Sequence, residues 1–383
     1  FFRNFAGMKH LQITARATVV AAVLALVAGC SRPAGKGGRE SSAVDGMRNE
    51  AVVRTTPVKN QGRSPLCWLY AMLATIESEH LMAGDSVNLS TDYLARQLLA
   101  DQARTYFFTR RTADVSLRGM ASMALQLLQR YGAEDHDAYG NRQPVNYDVL
   151  ARKVRQVARG AGSVARLDGR LESLLDRETG YVPRAVFMFG AEYTPHEFAH
   201  SVCLPGEYLA VTSFTHHPFG RAFVLEVPDN QLRDSFLNVP IGVMMRHVER
   251  ALRAGHPVCW EGDVSEPGFC FADGIATMPR RVDGASAQAL RQRDFEARRT
   301  TDDHCMELCG LARDSRGRRY YLAKNSWGTG NALGGYMYLS EDYVRLKTVA
   351  VYMSRRAWGW GNRPVARPAA RDFSGPEPAP LKK

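Results

Sequence analysis

The chain has 383 residues, of which 45% are hydrophobic, and a formal net charge of +11. That apolar content suits a globular chain with material for a sizeable core and excludes a wholly disordered one. Basic residues are interspersed with acids, as in "RQRDFEARR", and form no block interleaved with aromatics. The charge therefore reads as a basic solvated surface, and no nucleic-acid partner is expected.

From Met8 the chain reads "MKHLQITARATVVAAVLALVAGC", with Lys9, His10 and Arg16 as a positive front. The apolar stretch from Ala17 to Ala28, about a dozen residues, is too short to span a bilayer stably and reads as a secretory signal over residues 1–29. Phe1 to Gly7 read as sequence upstream of the true start. The ending Val27-Ala28-Gly29-Cys30 resembles a bacterial lipoprotein cleavage box. That resemblance implies cleavage before Cys30 and lipidation of its sulfur, with the protein held at a membrane of the bacterial cell envelope, periplasmic or surface side; stable anchoring takes more than one acyl chain. Residues 30–50 then read as the lipidated Cys and a flexible Gly/Ser-rich tether.

A helix is signalled from Ser64, with Ser64 as cap, Pro65 at the first helical position and Leu66, Leu69, Tyr70, Leu73 and Ile76 on one stripe. "NLSTDYLARQLLA" begins a second helix behind Ser90. "SLRGMASMALQLLQRYG" is a third, stopped by Gly132, with Met120, Met123, Ala124, Leu127 and Leu128 inward. Residues 140–200 are charged and read as helices followed by a loop. The second half changes character: "EYLAVTSF", "AFVLEVP", "PVCWEGDV", "HCMELCGLARD", "RYYLAKNSW", "GYMYLS" and "TVAVYMS" read as strands, with one helix, "IGVMMRHVERALRAG", among them. A helical lobe followed by a mostly antiparallel β lobe is an α+β organisation. The body is expected over 51–362, divided into a helical lobe about 51–140, an insertion about 141–200 and a β lobe about 201–362. The Pro/Ala-rich tail 363–383 is expected to be extended.

Cys67 falls at a helix start, where the backbone N–H groups and the helix dipole favour an anion, and a thiolate is the nucleophilic form of cysteine. Gln61, one loop upstream, could donate together with the Cys67 backbone N–H to a developing oxyanion. Far downstream, His304 opens one strand and Asn325 closes another across a turn around Asp314 to Gly317. Antiparallel pairing would set them side by side, with Asn325 accepting from one ring nitrogen while the other serves the thiol. Trp327 could shield that contact from water. The remaining cysteines, Cys203, Cys259, Cys270, Cys305 and Cys309, lack disulfide-scaffold spacing, and at most one bridge is expected. Cys305 should be buried on the strand face opposite His304, with Cys309 beside it. The His and Cys residues show no zinc spacing, "HHPF" at His216 and His217 reads as a loop, and no metal or organic cofactor is expected.

The ordered set "PVKNQG…CW", "LSTDYL", a Gly before "MASMALQLLQRYG", then His304 and "KNSWG…GGY" resembles the papain-like cysteine peptidases over about Thr55 to Met353. Arylamine acetyltransferases and transglutaminases also use Cys and His, but the "NSWG" context points away from them. The long Cys67–His304 separation, "SFTHHPFGRAFVLEVPDN" and "LNVPIGVMMRHVERALRAGHPVCWEGDVSEPGF" look most like the bleomycin hydrolase and aminopeptidase C branch. The resemblance implies a two-lobed papain-like fold and peptide or protein substrates. It implies Cys67 as nucleophile, His304 as general acid/base, Asn325 as orienting residue, Gln61 as oxyanion donor, and Gly119 with Met120 beside the substrate. Ser64-Pro65-Leu66 departs from papain's Cys and Gly-Ser pair, implying a bulkier, more apolar pocket beside Cys67. Aminopeptidase and endopeptidase action both stay open, because the tail could either block the cleft or be mobile. An inactive scaffold and a non-peptide amide hydrolase or acyltransferase are the alternatives. Oligomeric state is not readable.

Overall fold

The computed structural model describes residues 44–109, 114–140, 145–188, 190–279 and 281–360. The expected signal, the Cys30 lipidation site, tether residues 30–43 and the Pro-rich tail lie outside the described residues. Strand β1 (Arg48–Val52) already begins ahead of the expected body start at 51.

Helix α1 (Cys67–Ala83) is the axis of the helical side. Its capping residue is Leu66, with no side-chain cap, and Cys67 is the first helical residue. The expectation of a Ser64 cap is therefore corrected: the Ser64 hydroxyl donates to the Gln61 carbonyl at 2.7 Å, spending itself on the loop. Burial runs around α1 and includes Trp68, Leu69, Met72, Leu73, Ile76 and even Glu77, so the helix lies within the core instead of presenting one stripe to it. Each such leucine or isoleucine contributes about 1.5–3 kcal/mol by burial. Leu66 is also buried in this core, with Cys67 packed against it.

Helix α2 (Thr91–Thr109) starts behind Ser90, whose Oγ accepts from the Tyr93 N–H at 3.0 Å. Helix α3 (Ala121–Tyr131) ends at Gly132, whose N–H donates to Leu128 O at 3.0 Å. Helices α4 (Tyr147–Gly160) and α5 (Val164–Thr179) share the same core through Leu150, Val154, Leu167 and Leu171. Arg96 on α2 reaches Asp176 on α5 at 2.6 Å. A hairpin, β2 (Val186–Met188) and β3 (Ala191–Tyr193), and helix α6 (Pro195–Val202) complete this side.

The other side is built on β4 (Tyr208–Thr212), β5 (Ala222–Val224), β6 (Ser235–Asn238), α7 (Ile241–Arg253), β7 (Val258–Gly262), β8 (Phe269–Cys270) and β9 (Ile275–Ala276). It continues with α8 (Gly284–Glu296), β10 (His304–Arg313), β11 (Arg319–Lys324), β12 (Tyr336–Ser340), α9 (Glu341–Lys347), β13 (Thr348–Ser354) and α10 (Arg355–Trp358). The expected strands are present. Helices α8 and α9 are additions to the single helix expected among them; α8 is capped by Asp283, whose side chain accepts from the Ser286 N–H. Among the described residues the sheet has eleven strands in the order β5-β6-β4-β13-β7-β10-β11-β12-β9-β8, with β1 also paired to β10. This is an α+β, two-lobed papain-like architecture, with one core around α1 and a second inside the sheet and α7.

Strand β10 lies between the two cores. Cys305 faces the helical core, as expected. Cys309 does not join it: a register shift between Leu308 and Gly310 places Cys309 with Leu308 in the sheet core, where its Sγ donates to Leu322 O at 3.5 Å. The irregularity resets the alternation on which the expectation relied. Gly310 serves the same close approach, since a Cβ there would sit 2.6 Å from the Ala51 carbonyl oxygen of β1.

Candidate active site

The site is assembled where the start of α1 meets the His304 end of β10. Antiparallel β10–β11 pairing sets Glu307 opposite Lys324, which brings the next residue, Asn325, to the His304 ring. His304 Nε2 donates to Asn325 Oδ1 at 2.7 Å. That oxygen also accepts the Ser326 N–H at 2.7 Å, which fixes the amide's orientation and therefore the proton on Nε2. Nδ1 is left for the thiol. His304 and Asn325 are 3% and 2% exposed. The Trp327 ring lies 4.6 Å from the His304 ring, itself packed edge-on by Phe271 at 5.2 Å. Behind Asn325, its N–H donates to Gly335 O at 3.1 Å; Gly335 has φ +96°, and a Cβ there would lie 2.7 Å from Val58 and from the Gly328 carbonyl. The second Gly of "GGY" is thus required for the loop to close on the N-terminal segment.

Cys67 is half-buried, and its thiol is held well below the usual range for cysteine. A hydrogen bond from the Cys305 thiol is the largest cause; burial opposes it, and the hydrogen bond and charge of His304 and the Cys305 N–H reinforce it. A thiol is a weak donor, so the imidazolium and the uncapped start of α1 weigh more in holding the anion. The Cys305 side chain was expected only to pack, and its contact with Cys67 is a feature the strand alternation did not suggest.

Gln61 lies in the loop before α1, which pairs with the Asn325 loop: the Gln61 N–H donates to Ser326 O at 2.8 Å and the Gly328 N–H to Lys59 O at 3.2 Å. The Gln61 Oε1 accepts from Ser326 Oγ at 2.5 Å, and Nε2 donates to Ser64 O at 2.8 Å. One Nε2 proton is thus spent on fixing the amide, and the second can serve an oxyanion. Gly119 is packed on the residue after Cys67: a Cβ would lie 3.3 Å from Trp68 and 2.9 Å from Met123, while Trp68 Nε1 donates to Leu117 O at 2.9 Å. Met120 is 1% exposed and its side chain belongs to the helical core.

A buried charge cluster missed in the sequence braces the two sides. Glu77, with no side-chain exposure, accepts from Lys59 Nζ at 2.8 Å, from the Leu89 N–H at 2.7 Å and from Thr56 Oγ1. Thr56 Oγ1 in turn accepts from Lys324 Nζ at 3.0 Å, and Lys324 lies 3.6 Å from Glu307. Burial pushes the Glu77 carboxyl up, but Lys59 and Lys324 outweigh it and hold it below its usual range. The only visible trace was the Lys of "PVKNQG".

Among the described residues one group, His216, His217 and Glu226, brings metal-ligand atoms within 4.8 Å of one another. The Glu226 oxygens lie 3.1 and 2.6 Å from the two Nε2 atoms. Gln292 Oε1 accepts from the Thr215 N–H, so its Nε2 donates to His216 Nδ1 at 2.9 Å. That puts the His216 proton on Nε2, where it donates to Glu226. No described helix is long and apolar enough to cross a membrane.

No family model matches the chain. The solved structure of pepW from Lactobacillus rhamnosis shares the fold, with TM-score 0.59 and 15% identity over 92% of this chain and 90% of that one. Aminopeptidase W of Lactobacillus delbrueckii subsp. lactis is 23% identical over 368 residues, covering 79% of this chain and 82% of its own.

Proposed function

We propose that the chain is a cysteine peptidase acting through a thioester on Cys67, with aminopeptidase action favoured over endopeptidase action by its similarity to aminopeptidase W. The observation that carries the reading is the 2.7 Å His304–Asn325 contact, buried and tautomer-defined, beside a thiol held toward its anion. The Cys67 sulfur attacks a peptide carbonyl, whose oxygen takes the negative charge opposite the Gln61 amide and the Cys67 N–H. The His304 imidazolium gives its proton to the departing amine, leaving a thioester. His304, now neutral, removes a proton from water as the water attacks, and the acid is released with the thiolate restored. Asn325 keeps Nδ1 turned toward sulfur through both steps.

The test is peptide hydrolysis in reducing buffer by the full chain and by Cys67→Ala, alongside stoichiometric labelling with a thiol-directed epoxide. Turnover that disappears in the variant, with the label on Cys67, supports the reading. A folded protein that takes the label and cleaves no peptide from a free- and blocked-terminus library would point to a scaffold or a non-peptide acyl substrate.

Lipid anchoring in the bacterial cell envelope is proposed on the "LVAGC" box alone. Mass spectrometry of the membrane-extracted protein should find a diacylglyceryl-modified N-terminal Cys30, and Cys30→Ser should release the protein from membranes. A mature N-terminus elsewhere, without lipid mass, ends that proposal.

A further inference from the structure

Arginines that are scattered along the sequence are gathered by the fold at the end of the molecule remote from Cys67. Strand β10 has His304 at one end and Arg313 at the other, roughly 30 Å away at 3.3 Å per residue. Helix α1 makes the same crossing, from Cys67 to Ala83, and its Met82 meets Gly255 just past α7, where a Cβ would lie 2.8 Å from the Met82 methyl. The far face is built from α7, the β10–β11 turn "RDSRGRR" and α10. Arg313 and Arg253 flank Glu50 of β1 at 2.5 and 3.1 Å. Arg253 and Arg319 flank Glu249 at 2.9 and 3.0 Å, and Arg319 also lies 3.4 Å from Glu341. Arg318 holds Asp314 at 2.6 Å. Beyond this network, Arg246, Arg250, Arg316, Arg355 and Arg356 pair with no carboxylate among the described residues. Arg250 donates to the Trp358 carbonyl, and the Arg355 guanidinium lies 5.6 Å from the Trp360 ring, which is 44% exposed. The chain from Cys30 enters the described body at this face: Val44 is its first described residue, and a Cβ on Gly46 would lie 3.6 Å from Ser315 of the turn.

We propose that this face lies on an anionic phospholipid surface and holds the Cys67 cleft turned away from the bilayer. The inference rests on the lipid-anchoring reading and deepens it. Thirteen residues between Cys30 and Val44 span about 45 Å when extended, so a lipid on Cys30 would tether the body without orienting it. The arginines supply the orientation. Guanidinium forks match phosphate oxygens in pairs, and an indole with one apolar side and one wet edge sits well at headgroup level. Charge alone would suit any polyanion; the exposed Trp360 and the entry of the tether beside the turn select a membrane. With the site at the opposite end of β10, the cleft stands roughly 30 Å above the surface and takes its substrate from water.

The test uses the chain from Ser31, which lacks the signal and Cys30 but contains both cores. Flotation compares vesicles of phosphatidylethanolamine and phosphatidylglycerol with vesicles of phosphatidylcholine. One arginine beside an anionic surface is worth roughly fivefold in partition, so Arg246→Gln, Arg316→Gln and Arg356→Gln together should weaken binding to the anionic vesicles about 100-fold. These side chains are exposed and make no hydrogen bond among the described residues, so the iodoacetamide rate at Cys67 should not change. The same change at Arg152, Arg159 and Arg170, exposed on α4 and α5, removes equal charge and should alter binding by less than about threefold, since distant charges are screened. Bromine-labelled phosphatidylglycerol should quench tryptophan emission, and Trp360→Phe should abolish most of that quenching. Equal losses in the two triple variants, quenching that survives Trp360→Phe, or equal binding to both vesicle types overturns the proposal. Selective binding through this face in a protein whose Cys30 carries no lipid upholds the face and removes the anchor. A lipidated Cys30 in a protein whose Ser31 chain shows no selective binding does the reverse.

Discussion

The two sides of the cleft build their parts of the site in opposite ways. The helical side contributes Cys67 and Gln61 from a helix start and the loop before it, both only half-buried. The sheet side contributes His304 and Asn325, which are almost fully buried under Trp327. The difference follows from the tasks. A nucleophile and an oxyanion donor must touch substrate, whereas the imidazole–amide contact orients the ring best where water cannot compete for it. A helix start supplies an anion site through its own backbone, while a strand pair supplies register. The lesson is that the two halves have to be braced against each other, and Thr56, Lys59, Glu77 and Lys324 form that brace.

The largest effect should come from breaking the sheet half alone. His304→Ala removes the proton carrier and the imidazolium partner, and peptide turnover is expected to fall by roughly 10³-fold or more. Circular dichroism should be unchanged, because His304 pairs with Gly262 through its backbone, which the substitution keeps. Loss of activity below about tenfold, relative to a general acid–base contribution of that size, would remove His304 from the proposed role.

Breaking the brace should act on stability. Glu77→Ala leaves the Lys59 ammonium without its carboxylate, while Lys324 keeps Glu307 at 3.6 Å, and a cost of about 3–5 kcal/mol is expected in denaturant melts. The sign with pH is fixed by the lowered carboxyl: its folded pKa lies below its unfolded one, so its stabilisation is fully present above the ordinary Glu range and is lost as pH falls through the folded value. The variant should therefore resist further acid destabilisation in that window better than the parent. On the helical half, Gln61→Ala should lower kcat by about 10²–10³ with a smaller change in KM, the pattern of a lost oxyanion donor.

Much of this was legible in residue order. Gln61, Cys67, His304, Asn325 and Trp327 each stand in a local context whose chemistry can be argued, and the strand runs that carry His304 and lead to Asn325, "HCMELCGLA" and "YYLA", are mostly apolar. What stayed hidden depends on long-range geometry. The Leu308–Gly310 irregularity moved Cys309 to the other core, and nothing local to "ELCGL" announces which residue bulges. The start of α1 was misplaced because Ser64 and Pro65 imitate a helix entry whose hydroxyl is in fact used by the Gln61 turn. Glu77 and Glu261 carry no motif, since a carboxylate beside apolar residues becomes meaningful only when its partners, contributed from distant segments, are known.

The smallest effect probes the seam itself. Cys305 belongs to the sheet half, and its thiol and N–H reach the sulfur of the helical half. Cys305→Ala keeps the N–H and removes only the thiol donor, so the midpoint of the iodoacetamide rate against pH should move up, yet stay below that of an ordinary cysteine. His304→Ala should move the same midpoint further, because an imidazolium contributes both a hydrogen bond and a charge whereas a thiol contributes a weak hydrogen bond alone. Thiolate is lost as pH falls through its pKa, so on acidification His304→Ala should lose reactivity first and Cys305→Ala second. If Cys305→Ala moved the midpoint further than His304→Ala, the anion would be held by the strand face behind the sulfur, and the imidazole would keep only its role in moving protons.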